Sequence, residues 1–195
     1  MKRGSLFSND VAFEDRLILE EEDLVKKVTA IKTLGLKIAL TSGSFDMAHI
    51  GHMRYLRSAR QLADVLVVGI DSDEKVRKRK GEFRPIIPEQ ERAEMIAHSR
   101  YVDIVTIKDG GGEKWGLIKL VRPDFLLISE RTGYDEETQK ELLQYCGDIV
   151  NLESQAETST SAGIRRLQME TLRPGLNKIR QVLDEIEGDH GKEGT

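Results

Sequence analysis

The sequence predicts an α/β protein built on one doubly wound parallel sheet of about five strands, with added helices at its N- and C-terminal ends. Three observations predict it. Short apolar runs of strand length recur along the chain. Segments with helical spacing separate each run from the next, and that alternation implies parallel strands covered on both faces. At 195 residues, with no internal repeat and no low-complexity linker, one domain is the economical reading.

The elements follow in order. Residues 1–19 are mixed in character. "LEEEDLVKKVTAIKTLGL" places Leu24, Val25, Val28 and Ile31 at helical spacing. Acidic residues lead and lysines follow, as the helix dipole favours, and Gly35 is a natural stop. "KIALT" is a buried strand that ends in the small-residue turn Ser42, Gly43, Ser44. "HMRYLRSARQLA" reads as a helix with Met53, Leu56, Ala59 and Leu62 on one face. "DVLVVGI" is a second buried strand. "PEQERAEMIAHS" is a helix with Pro88 at its opening turn, where a missing N–H is tolerated. "DIVTI", "FLLIS" and "DIVNL" are three more strands. Between them lie the short helix "EKWGLIKLV" and the helix "EETQKELLQYC", the latter expected to end at Gly147. "SAGIRRLQME" and "LNKIRQVLDEIE" are the last helices, and the tail "GDHGKEGT" is expected to be disordered. Right-handed crossovers favour a Rossmann-like sheet, with ligands outside the carboxyl ends of the strands where strand order reverses. The expected organisation is an N-terminal extension and helix over 1–35, the α/β domain over 36–166 and a C-terminal helix and tail over 167–195.

Composition narrows the function. The net charge is −4, which argues against a dedicated nucleic-acid binder. Cys146 is the one cysteine, so neither an intrachain disulfide nor a cysteine zinc cluster can form, and a reducing, cytoplasmic setting fits. No apolar run suggests a membrane span, and the basic N-terminus lacks the apolar core of a secretory signal.

The chemistry concentrates in "SGSFDMAHIGHMRYL". With Gly51 and His52 at a helix opening, His49 and His52 can turn both rings to one side, and Gly51 permits close approach of a ligand. Two imidazole donors beside a helix N-terminus suit a phosphoryl group that gains negative charge. Two histidines alone do not complete a zinc site. The stretch "KVRKRKGEFR" carries six basic residues between the second strand and Pro85. Gly81 and Pro85 mark it as a loop, and the expectation is a mobile basic flap over a triphosphate, with Lys80 and Arg84 as its best candidates. Asp71 and Asp73 end the second strand, where a nicotinamide-dependent enzyme would hold ribose, but the first turn lacks GxGxxG. Trp115 and Cys146 are expected to pack.

These motifs carry a resemblance. "GSFDMAHIGH" resembles the HxGH signature of the nucleotidyltransferase superfamily. "GIDSDEKVRKRKGEFRPIIPEQERAEMI", "SRYVDIV" and "TSTSAGIRR" resemble the later segments of the cytidylyltransferase-like family, in the same order over residues 36–166. Within it, "KIALTSGSFD", "KGEFRP" and "VRPDFLL" are most similar to the adenylyltransferase domain of heptose-phosphate kinase/adenylyltransferases. Two departures fall on the acceptor side: "SERTGYDEE" stands where that domain has a Gly-Gly-Asp stretch, and Ser154 stands where related enzymes have arginine.

The resemblance implies a transferase that joins a nucleoside triphosphate, ATP first, to a phosphorylated sugar or polyol and releases pyrophosphate. It implies His49, His52, Lys80 and Arg92 as catalytic residues. Ser42, Gly43, Ser44, Phe45, Gly51, Ser159, Thr160 and Ser161 would bind nucleotide, and Asp46, Asp73 and Arg84 would bind substrate. Plainer roles stand beside these: Asp46 as a turn cap, Ser159–Ser161 as helix caps, and Arg92 as an exposed ion pair with Glu89 or Glu94. Mg2+ would ride largely on the phosphates, with no protein metal site, and a homodimer is expected, without nucleic acid or membrane as partner. The alternatives are a CTP-dependent glycerol-, choline- or ethanolamine-phosphate cytidylyltransferase, an FMN adenylyltransferase, and a non-catalytic nucleotide-binding regulator.

Overall fold

A computed structural model describes residues 12–108, 112–129 and 134–153, together with Gly175, Lys178 and Arg180. Contacts divide the chain into Met1–Glu157 and Thr158–Thr195, and the elements named here lie in the first unit. In order they are α1 (Phe13–Arg16), α2 (Glu21–Thr33), β1 (Ile38–Gly43), α3 (Ile50–Arg60), β2 (Val65–Asp71), α4 (Asp73–Lys80), α5 (Glu89–Ala97), β3 (Ile104–Lys108), α6 (Gly116–Val121), β4 (Phe125–Ser129), α7 (Glu136–Leu142) and β5 (Asp148–Leu152). The strands form one sheet in the order β3-β2-β1-β4-β5, and every pairing is parallel. Strand order therefore reverses at β1, as the sequence predicts for a doubly wound sheet.

Alternate residues along each strand feed two cores. On one face Ile38, Leu40, Val65, Val67, Ile104 and Leu126 pack with Leu24, Val28 and Ile31 of α2, Ile118 of α6 and Leu142 of α7. On the other, Ala39, Leu66, Val68, Val105 and Leu127 pack with Leu56 and Ala59 of α3 and Ala93, Ile96 and Ala97 of α5. β2 is buried along its whole length, which explains its unbroken apolar run. The N-terminal segment guards the β3 edge: Leu17 bridges Val105, and Arg16 donates to the carbonyls of Ser99 and Val102 at 2.8 and 3.1 Å.

Three details differ from expectation. Val25 and Leu62 are exposed rather than buried with their helical neighbours. α7 stops at Leu142, short of Cys146. Gly147 does not cap it; a Cβ there would lie 2.7 Å from the Asp124 carbonyl oxygen, so the glycine serves a close crossing. The third is the basic stretch: Asp73 to Lys80 is helix, not flap. Ser72 caps it by accepting from the Lys75 N–H at 3.3 Å, acidic Asp73 and Glu74 open it, and Gly81 at φ +95° ends it. Among the described residues, no helix is long and apolar enough to cross a membrane.

Candidate active site

The site is built where β1 ends. Beyond Gly43 the chain turns through Phe45 and Met47, whose φ angles of 46° and 52° are left-handed. Two such non-glycine residues in one turn store strain of about 1–3 kcal/mol each. Asp46, between them, clamps the turn. Its carboxylate is buried, accepts from the Ile86 and Ile87 N–H groups at 3.0 and 3.2 Å, and pairs with Arg84 at 2.6 Å. The Phe45 ring folds back beneath Gly43 and packs on His52, with ring centroids 5.4 Å apart.

The turn delivers His49 as the N-cap of α3. The His49 Nδ1 accepts from the Gly51 N–H at 3.1 Å, and the His52 Nδ1 accepts from the His49 N–H at 3.2 Å. This is a capping box made of two imidazoles. The N–H groups of Gly51 and His49 are thus turned onto the rings. Since each Nδ1 accepts, a neutral ring carries its proton on Nε2. The rings lie 4.1 Å apart, so the helix opening presents two side-chain donors together.

Lys80 and Ser44 meet on the neighbouring rim, where the Lys80 ammonium donates to the Ser44 hydroxyl at 2.8 Å. Desolvation, followed by the charges of Arg79 and Arg84, lowers the Lys80 pKa. Arg92 is not the exposed ion pair considered from sequence: its side chain is 0% exposed. It donates to the carbonyls of Ile87 at 2.8 Å, of Asp71 at 2.9 Å and of Ser44, and to the Asp73 carboxylate at 2.7 Å. It ties the ends of β1 and β2 to α4 and α5 from below. The geometry gives it a buried clamp where sequence suggested a phosphate contact. The Asp73 N–H donates in turn to Glu89 at 2.6 Å.

Sequence reasoning passed over one group. Lys108 ends β3, beside Asp71 at the end of β2, and its ammonium lies 3.4 Å from the Ser42 hydroxyl. Arg79 and Lys75 of α4 reach the same buried Asp71 carboxylate at 2.9 and 3.8 Å. A charged residue directly after an apolar strand was the available signal. Ser159, Thr160 and Ser161 lie outside the described residues, as does most of the segment 176–187. Among the described residues, no group of three or more His, Cys, Asp or Glu side chains could hold a metal ion.

Residues 40–175 match the family described as cytidylyltransferase-like. The chain belongs to this family. The cytidylyltransferase-like chain is 43% identical over 131 residues to the bifunctional protein HldE of Campylobacter jejuni subsp. doylei, covering 64% of this chain and 28% of that protein. It is 35% identical over 164 residues to the HldE of Geotalea uraniireducens, covering 84% and 32%. It therefore spans less than a third of the length of these curated relatives. Among solved structures, the lipopolysaccharide core biosynthesis protein from Thermoplasma volcanium is similar at a TM-score of 0.56 and 28% identity, over 62% of this chain and 98% of that one.

Proposed function

We propose that this chain is a nucleotidyltransferase that joins a nucleoside triphosphate, ATP first, to a phosphorylated sugar or polyol and releases pyrophosphate. The observation that carries the reading is the histidine capping box at the β1 end of the sheet, where strand order reverses. An acceptor phosphate oxygen would attack the α-phosphorus in line. The bond from that phosphorus to the bridging oxygen would break, and pyrophosphate would leave with its electron pair. The Nε2–H groups of His49 and His52 would donate to the α-phosphate oxygens and the leaving group as charge builds there. Lys80, with Ser159, Thr160 and Ser161, would hold the outer phosphates. Arg92 and Asp46 would act as positioning residues for the β1 turn.

Magnesium belongs to this reading as the ion carried on the triphosphate. The described side chains offer no cage for it, so no residue of the chain is assigned to it. The likeness to heptose-phosphate adenylyltransferase domains supports ATP and a sugar phosphate. The single cysteine supports a reducing, cytoplasmic setting. A homodimer is part of the same proposal, and sedimentation measures it.

The test is pyrophosphate release from ATP, CTP, GTP and UTP against sugar 1-phosphates, glycerol 3-phosphate, choline and ethanolamine phosphates and FMN. Release is expected with ATP and a sugar phosphate, and only when both are present. Release with CTP and an amino-alcohol phosphate would reassign the substrates. Triphosphate binding without release across the whole panel would make the chain a regulator.

A further inference from the structure

The ends of β1, β2 and β3 gather cations that the histidine site does not use. Lys108 on β3, and Lys75 and Arg79 on α4, surround one buried carboxylate, Asp71 of β2. Asp71 balances one of the three charges and leaves a surplus of two. The Lys75 charge acts on the Lys108 ammonium, like charge on like charge. Such an interaction is unfavourable beside a protein interior unless an anion lies between or above the two. The cluster is also fixed from below. The Ser72 N–H donates to the Lys108 carbonyl at 3.1 Å, and the Lys108 Cβ lies over Gly69, 3.9 Å from the position a Cβ would take there.

Resting on the nucleotidyltransferase reading, we propose that Lys108, Lys75 and Arg79 seat the phosphate monoester of the acceptor, and that Lys108 selects a dianionic acceptor. The surplus of two matches the charge of a phosphate monoester at neutral pH. The sheet order supports the side of the site. β1, which delivers the histidines, has β4 and β5 on one flank and β2 and β3 on the other. The cation cluster lies on the β2–β3 flank. Through Lys80, which follows Arg79 on α4 and donates to Ser44 of the β1 turn, the cluster borders the histidine site.

The Lys108 ammonium faces Ser42 of β1, Asp71 of β2, and Lys75 and Arg79 of α4; Tyr134, before α7, interacts with Asp71 and Arg79. Desolvation, then the Lys75 charge, brings its pKa down to about 8. An arriving dianion reverses that balance, so the bound state takes up a proton on Lys108 above this pH.

The probe is sulfate, a tetrahedral dianion at every pH used, titrated by calorimetry into the full chain in the presence of a non-hydrolysable ATP analogue. Wild-type affinity is expected to fall about tenfold or more from pH 7 to pH 9.5, as Lys108 gives up its proton. Lys108→Met should bind about tenfold more weakly at pH 7, with a flat profile. Lys108→Arg should bind as wild type does at pH 7 and stay flat to pH 9.5, because its charge persists. Circular dichroism of each variant confirms the fold. Equal sulfate binding by wild type and Lys108→Met, or no saturable sulfate binding at all, overturns the proposal. Competitive displacement of sulfate by the ATP analogue also overturns it, since the cluster would then belong to the triphosphate. If no triphosphate binds, the nucleotidyltransferase reading falls, while the sulfate profile still decides the role of Lys108.

Discussion

His52 caps the backbone of His49: the His52 Nδ1 accepts the His49 N–H at 3.2 Å, while the His49 Nδ1 accepts the Gly51 N–H at 3.1 Å. One atom of each ring therefore holds the helix opening, and the other is left to carry the proton. The two duties can be separated. Asparagine places its carbonyl oxygen near the Nδ1 position and is a preferred N-cap, but it lacks the far nitrogen. His49→Asn is expected to unfold at the wild-type denaturant midpoint and to lose turnover by about 10²–10³. His49→Ala should lose both, with about 1 kcal/mol of stability gone. Normal turnover in a folded His49→Asn would remove the imidazole from the chemistry.

The Asp46–Arg84 pair is expected to matter more from one side than from the other. Asp46 also accepts from two backbone N–H groups and holds a turn with two left-handed residues. Asp46→Ala leaves the Arg84 charge and both N–H groups without that acceptor, at a cost of about 3–5 kcal/mol. In Arg84→Met the carboxylate keeps both backbone donors, and the cost should be about 1–3 kcal/mol. Urea unfolding of both variants gives the order, and an equal loss would show that the two backbone N–H bonds to Asp46 add nothing beyond its pair with Arg84.

Arg92 tests clamp against contact. Lysine keeps the charge but cannot reach four acceptors on four segments with one ammonium. Arg92→Lys should lose about 2–4 kcal/mol of stability, while triphosphate Kd changes by less than about threefold when measured well below the melting temperature. A variant of normal stability with a tenfold loss of triphosphate affinity would return Arg92 to direct phosphate contact.

These residues also show what the sequence could carry. The strands were legible because both faces of a parallel sheet are covered, so each reads as an apolar run between turn residues. The histidines were legible because a small-residue turn and a helix opening flank them. The helix at Asp73–Lys80 was not, because only Val76 faces inward and the run shows no apolar period. Its signals were local: the Ser72 cap, acidic residues first and basic residues last. The burial of Arg92 was hidden for a different reason. Helical spacing puts it on the face shared with Ala93, Ile96 and Ala97, yet charge alone argues for solvent, and only the converging carbonyls of Ser44, Asp71 and Ile87 make burial tolerable. Lys108 depends on three strands and a helix meeting at one edge, which no local pattern encodes.

The last prediction takes Lys108 without any ligand. Its pKa is about 8 in the folded chain against 10.5 ordinarily, so between these values the unfolded chain binds more protons than the folded one. Stability from this group therefore rises with pH across that window, and below pH 8 its charge carries the full penalty. Lys108→Met removes the penalty and keeps much of the apolar stem. The variant should be more stable than wild type at pH 7, by about 1–3 kcal/mol. The gap should close as pH rises from about 8 towards 10.5, because wild type sheds the charge that the variant never had. Other lysines with lowered pKa values, Lys27, Lys32 and Lys80, titrate in both proteins and cancel in the difference. Sulfate at pH 7 should also narrow the gap, by stabilising wild type more than the variant. Urea midpoints from pH 7 to pH 10 measure both effects. A variant less stable than wild type by the same amount at every pH would show that packing and the Ser42 contact hold Lys108 in place, and that its charge carries no penalty awaiting an anion.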